Sequence, residues 1–248
     1  MRVVFSLDTW PALQEFSGDD QNDLGAAASL AELAGVDSLR LSINEEGTPV
    51  RETDVETLRR AARRMELRMP VSLNLLKVPL GARPDRVVLV GEQHGATGAA
   101  PPVDARISGA ALGSVLRSLA EAGIAASVRV APELDAIRAA HAQGVDDVEL
   151  FTGYLVDLPD GERRGALVTL GDSARLASKL RLGIAVAGGL DDRNVGEVLE
   201  AAPAVERVVF GRGLARRSLL VGLDRAIRDF EARIGSGNRS RDRGDRIR

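Results

Sequence analysis

The chain contains no cysteine. Disulfides, thiolate zinc sites, iron–sulfur clusters and cysteine nucleophiles are therefore excluded. Histidine is limited to His94 and His141, and lysine to Lys77 and Lys179. Neither histidine has ligand-like partners at metal spacing, so no metal is expected. Lys77 stands beside Pro79 and Lys179 belongs to a helical stretch, poor settings for Schiff-base chemistry. The formal net charge is only −3. The chain thus lacks an overall electrostatic drive toward nucleic acid or anionic membrane. No apolar run approaches the ~20 residues of a membrane span. Met1 leads directly into a strand-like segment, which predicts a chain without a signal peptide, working in the cytoplasm.

What the sequence does hold is alternation. Short aliphatic runs at 3–7, 38–42, 68–73, 86–90, 125–130, 147–151, 183–187 and 207–210 predict strands. Stretches of helical period lie at 24–34, 53–64, 108–122, 133–143, 164–180, 193–201 and 218–234. The crossover at 77–82, with Pro79 and Gly81, predicts about one helical turn. Strict alternation leaves an open doubly wound sheet or a closed barrel. The αβ joints at Gly35, Gly123 and Gly144 repeat one pattern, a helix ending in glycine followed at once by a strand. With 248 residues, near the usual size of eight βα units, the α/β class and a single (β/α)8 TIM barrel over 1–234 are expected. The loop at 91–106, containing His94, is long enough to be a lid or a mobile segment. Residues 235–248 are rich in Gly, Ser, Arg and Asp and predict a disordered tail.

Barrel chemistry sits where the strands end. After the first strand come Ser6-Leu7-Asp8, where Asp8 orients a polar substrate group or makes a loop hydrogen bond. After the second come Ser42 and Asn44, polar groups suited to holding a substrate. Glu149 interrupts an apolar strand at Val148-Glu149-Leu150-Phe151-Thr152. Burial would raise its pKa and suit it to general acid–base work, unless it pairs with Arg129 on the neighbouring strand. The last two strands end in Ala187-Gly188-Gly189-Leu190 and Phe210-Gly211-Arg212. Glycines there let backbone N–H groups approach a phosphate, and Arg212 adds a charge-assisted contact. Tight βα turns without a ligand are the alternative.

These motifs, in this order, resemble the pyridoxine 5′-phosphate synthases of vitamin B6 biosynthesis. The likeness is carried by Leu7-Asp8, Ala31-Glu32-Leu33-Ala34-Gly35-Val36-Asp37, Leu89-Val90-Gly91-Glu92, Val148 to Gly153, Gly188-Gly189-Leu190 and Phe210-Gly211-Arg212. The resemblance implies a barrel that needs no metal or organic cofactor, assembles from copies of itself, commonly as an octamer, and binds small phosphorylated molecules. It implies Glu149 as the catalytic residue, Asp8 and Thr152 as substrate-binding, and Gly188, Gly189 and Gly211 as phosphate-binding; Ser6 and Ser42 join the substrate set, and Arg212 the phosphate set, from their own places at the strand ends. The family reaction condenses deoxyxylulose 5-phosphate with 1-amino-3-hydroxyacetone phosphate. Where the family carries His at the ends of strands one, two and eight, this chain has Thr9, Ser42 and Arg212; its turn after strand seven, Gly188-Gly189-Leu190, is one residue shorter and lacks the family's His, and its third strand lacks the family's catalytic Glu. Each lost acid or base costs about 10²–10⁴ in rate. The departures predict that the condensation is reduced or lost, leaving an altered enzyme or a binding or assembly scaffold.

Overall fold

In the computed structural model, which describes residues 1–17, 23–47, 49–92, 100–156 and 158–244, eight parallel strands close into one barrel in sequence order. They are β1 (Arg2–Ser6), β2 (Ser38–Ser42), β3 (Met65–Pro70), β4 (Arg86–Val90), β5 (Ala125–Val130), β6 (Asp147–Phe151), β7 (Gly183–Ala187) and β8 (Arg207–Phe210). β8 returns to β1 in the register Val4 to Val209, which closes the ring. The helices are α1 (Thr9–Ser17), α2 (Leu24–Ala34), α3 (Glu52–Ala61), α4 (Lys77–Ala82), α5 (Gly109–Glu121), α6 (Leu134–Ala142), α7 (Asp160–Lys179), α8 (Val195–Ala201), α9 (Arg212–Val221) and α10 (Leu223–Gly244). Among the described residues no helix is long and apolar enough to cross a membrane.

The α/β barrel predicted from the alternation is thus the fold. Gly35, Gly123 and Gly144 all adopt positive φ, as the glycine-ended joints predict. Three elements differ from expectation. β3 begins three residues before the predicted 68–73, because its charged positions read as exposed while the fold buries them. The predicted helix 218–234 is two helices, α9 and α10, parted at Gly222 with φ 82°. α1 was not expected. α10 carries helical backbone through Gly244, into the stretch for which composition predicts disorder. His94 and residues 93–99 of the predicted lid lie outside the described residues.

Side chains alternate along each strand. Outward-facing Val3, Phe5, Leu39, Leu41, Leu67, Val148 and Leu150 join the helices in one large apolar core. The lumen has its own small cluster, Val4, Ala187 and Val209. Val88 and Val90 of β4 form a second with Ala100, and elsewhere the lumen departs from the branched aliphatic filling usual in such barrels. Arg40, Glu66, Ser127, Arg129, Asp147, Glu149 and Arg207 are all buried. Charges this deep persist only when paired, and here they are. Arg40 reaches Glu66 on the next strand and Glu149 across the lumen, each at 2.6 Å. Near the N-terminal end, Asp147 pairs with Arg207 and, at 3.2 Å, with Arg86.

Candidate functional site at the barrel mouth

The ends of β1, β2 and β3 bring Ser6, Asp8, Ser42 and Arg68 together. Asp8 Oδ2 accepts hydrogen bonds from Ser6 Oγ at 2.8 Å, Ser42 Oγ at 2.7 Å and Arg68 Nη2 at 3.1 Å. Its Oδ1 accepts from the Ser42 backbone N–H at 2.7 Å. Three strand ends are therefore tied to one carboxylate. With both oxygens occupied, Asp8 has little capacity left for a substrate. Its geometry is that of an anchor which holds Arg68 at the mouth.

Sequence reasoning missed Arg68, and the three-residue slip in β3 is the cause. Placed at the start of a strand, Arg68 would lie at the far end of the barrel. The signal was present in Met65-Glu66-Leu67-Arg68-Met69, whose strict alternation fits a strand with an apolar outer face and a charged inner one. The slip also left Glu66 outside the expected strand, whereas Arg40 lies in a strand placed correctly and its inward face was not read.

Glu149 lies below this cluster, fully enclosed. Its carboxylate meets Arg40 Nη1 at 2.6 Å, and Arg129 Nη2 and Nε at 2.6 and 2.8 Å. Burial pushes its carboxyl up, but the charges of Arg40 and Arg129 and their hydrogen bonds outweigh that and hold it at about 2. The expectation that burial would raise this pKa is therefore reversed, because two guanidiniums occupy the carboxylate. The Arg129 guanidinium also donates to the Ala100 carbonyl at 2.7 Å and lies over the Phe151 ring, 5.5 Å from its centroid.

Thr152 is buried, and its Oγ1 donates to the Gly188 carbonyl at 2.6 Å, pinning the turn after β6 to the turn after β7. Its hydroxyl is engaged within the fold. Gly188 and Gly189 have φ of 112° and 65°, a region side chains disfavour. A Cβ on Gly188 would fall 2.8 Å from the Gly153 nitrogen, and one on Gly189 only 2.2 Å from Val156 Cγ2. Packing against the β6 turn thus already demands these glycines. Asn194 braces the same turn, donating from Nδ2 to the Gly189 carbonyl at 2.8 Å. Gly211 is the N-cap of α9 and no side chain caps that helix. The first turn of α9 presses on the β7 turn, since a Cβ on Gly213 would lie 2.5 Å from the Leu190 carbonyl. Open N–H groups of a helix start therefore border the glycine turn, and Arg212 stands exposed beside them.

Of the other residues singled out, His141 is exposed on α6, and Lys77 on α4 pairs with Glu52 at 2.9 Å. His141, near the C-terminal end of its helix, lies away from the mouth, and the Lys77 ammonium is committed to its carboxylate partner.

The family model for pyridoxal phosphate biosynthesis protein PdxJ matches residues 6–236. The chain is 30% identical to pyridoxine 5′-phosphate synthase of Geobacter metallireducens over 231 residues, covering 92% of this chain and 96% of that protein. It is 29% identical to the protein of the same name from Geotalea daltonii over the same share of each. Among solved structures, a monomer of phosphoribosylanthranilate isomerase from Thermotoga maritima superposes with a TM-score of 0.62 at 14% identity, over 95% of this chain and 99% of that one. Thiamine phosphate pyrophosphorylase from Pyrococcus furiosus gives 0.56 at 13% identity, over 95% of each chain. At such identities these two likenesses concern the fold alone.

Proposed function

Because the chain belongs to the family of pyridoxal phosphate biosynthesis protein PdxJ, we propose that its barrel mouth binds a small phosphorylated molecule where the turns after β7 and β8 meet, and that it no longer runs the family's ring-closing condensation. Gly188, Gly189 and Gly211 supply the backbone and Arg212 the charge for the phosphate. Ser6, Ser42 and the anchored Asp8 line the adjoining side, while Thr152 acts by holding the glycine turn. The protein works in the cytoplasm as a homo-oligomer, without metal or organic cofactor.

One observation carries the loss of the condensation. Glu149, the acid–base residue that the family resemblance leaves in this chain, is clamped by Arg40 and Arg129 and held near pKa 2. A general base works best with a pKa near the operating pH. Glu149 is instead a fixed anion that orders the lumen. A second reading, an inactive scaffold, is favoured by one feature: Leu219, Leu220 and Val221 stand exposed together at the end of α9.

Purified protein incubated with deoxyxylulose 5-phosphate and 1-amino-3-hydroxyacetone phosphate should yield no pyridoxine 5′-phosphate above a protein-free control. Steady multiple-turnover product would overturn the proposed loss. Millimolar inorganic phosphate or pyridoxine 5′-phosphate should raise the melting temperature, since a ligand that binds only the native state stabilises it. Arg212→Ala should diminish that rise. Absence of any rise in the parent protein would favour the scaffold instead.

A further inference from the structure

Three guanidiniums occupy the upper half of the lumen, and they differ in what they have left to offer. Arg40 uses Nε and Nη2 on Glu66 and Nη1 on Glu149. Arg129 uses Nε and Nη2 on Glu149 and Nη1 on the Ala100 carbonyl. Arg68 places one N–H on Asp8, and among the described residues no other acceptor takes one. A guanidinium carries five N–H donors in a rigid fork, so most of the fork is open. The side chains of Arg68 and Asp8 keep 17% and 28% of their surface exposed, so this open fork borders the mouth.

Charge points the same way. The groups acting most strongly on Arg68 are Asp8 and Glu149 on one side and Arg129 and Arg40 on the other. Arg40 is already matched by Glu66 and, with Arg129, by Glu149, so Asp8 alone is left to balance Arg68. Burial lowers its affinity for the proton, Asp8 offsets part of that, and Arg129 and Arg40 add to it, leaving Arg68 at about 10. A cation so placed gains from a further anion. The open fork is planar. A carboxylate matches it, being planar and suited to two parallel N–H contacts.

The geometry points to Arg68 as the recognition residue for a ligand carboxylate, so that the molecule bound at this mouth is a small phosphate ester bearing a carboxylate at its other end. The phosphate half rests on the reading of the β7 and β8 turns given above; the carboxylate half does not. The two ends are close enough for a ligand of few carbons. A Cβ on Gly211 would stand 3.6 Å from that of Ser6, and Ser6, Asp8 and Arg68 follow in hydrogen-bonded succession.

Calorimetric titration of the full chain with three compounds tests this. 2-Phosphoglycolate carries both groups, glycerol 3-phosphate the phosphate alone, and malonate carboxylates alone. 2-Phosphoglycolate should bind roughly ten- to a hundredfold more tightly than glycerol 3-phosphate, the range for charge-assisted hydrogen bonds. Arg68→Gln should erase that advantage and leave glycerol 3-phosphate binding unchanged. Asp8→Asn, which loosens the hold on the fork and takes away the counter-charge of Arg68, should tighten 2-phosphoglycolate, whereas damage to the fold would weaken it. Equal affinity for the two phosphate esters in the parent protein, or an advantage that survives Arg68→Gln, would overturn the inference. Malonate binding that depends on Arg68, without glycerol 3-phosphate binding, would sustain it while refuting the phosphate site.

Discussion

Glu149 meets Arg40 on one side and Arg129 on the other, and that enclosure decides what the residue can do. Replacing it with glutamine leaves both guanidiniums in place and takes away the negative charge that made their burial tolerable. Breaking one side of a buried ion pair typically costs about 3–5 kcal/mol. For a domain of this size that is a fall in melting temperature on the order of 10 °C, measurable by calorimetry. The same enclosure fixes a pH dependence. An unfolded glutamate titrates near ~4.3, whereas folded Glu149 keeps its charge down to about 2. Folding thus favours the ionised form, and its contribution is complete above the unfolded pKa and vanishes as pH falls through the folded one. Between pH 5 and pH 2 the parent protein should lose melting temperature more steeply than Glu149→Gln. Parallel curves for the two proteins would show that the carboxylate is not held as described.

At the level of single elements, the turn after β7 is where sequence and structure can be compared most closely. Its glycines are legible as a turn where backbone N–H groups can approach a phosphate, and they do follow the end of β7 at Ala187. What they do in the fold was not legible, because the Phe151 ring, Gly153 and Val156 that crowd them come from the β6 turn, over thirty residues away in sequence. Gly188→Ala would put a Cβ against Gly153 and force alanine to φ near 112°. Strain of that kind costs about 1–3 kcal/mol, and displacement of the turn should also reduce stabilisation by phosphate. Gly165→Ala is the control. It lies inside α7 with nothing within 4 Å of the added methyl, so it should stabilise by about 0.5–1 kcal/mol. Denaturant titration of both variants, with and without phosphate, separates turn geometry from a general effect of losing glycine. β3 teaches the complementary lesson. An ion-paired lumen gives its strands an apolar and charged alternation that reads as half exposed, so the segment was shifted to the more uniform 68–73 and Arg68 was lost from view.

For the whole molecule, the closed barrel was readable because strands and helical stretches alternate eight times, and three of the joints, at Gly35, Gly123 and Gly144, share one glycine cap. Assembly is a different matter, since nothing in a single repeat specifies a partner surface. The resemblance implies copies of the chain joined together, and one feature of the exterior suits that. Leu219 and Leu220 are 76% and 77% exposed at the end of α9, next to Val221, which turns an apolar trio toward solvent. Adjacent exposed leucines of this kind on a helix end mark surfaces that become buried in complexes. Serine at both positions removes apolar area without altering any described core contact, so the folded chain should survive the change. Light scattering coupled to size-exclusion chromatography should find the parent protein larger than one chain, and Leu219→Ser with Leu220→Ser should shift it toward smaller species at the same concentration. A parent protein that elutes as one chain at every concentration would refute assembly, and an unchanged oligomer in the double variant would place the interface elsewhere on the barrel.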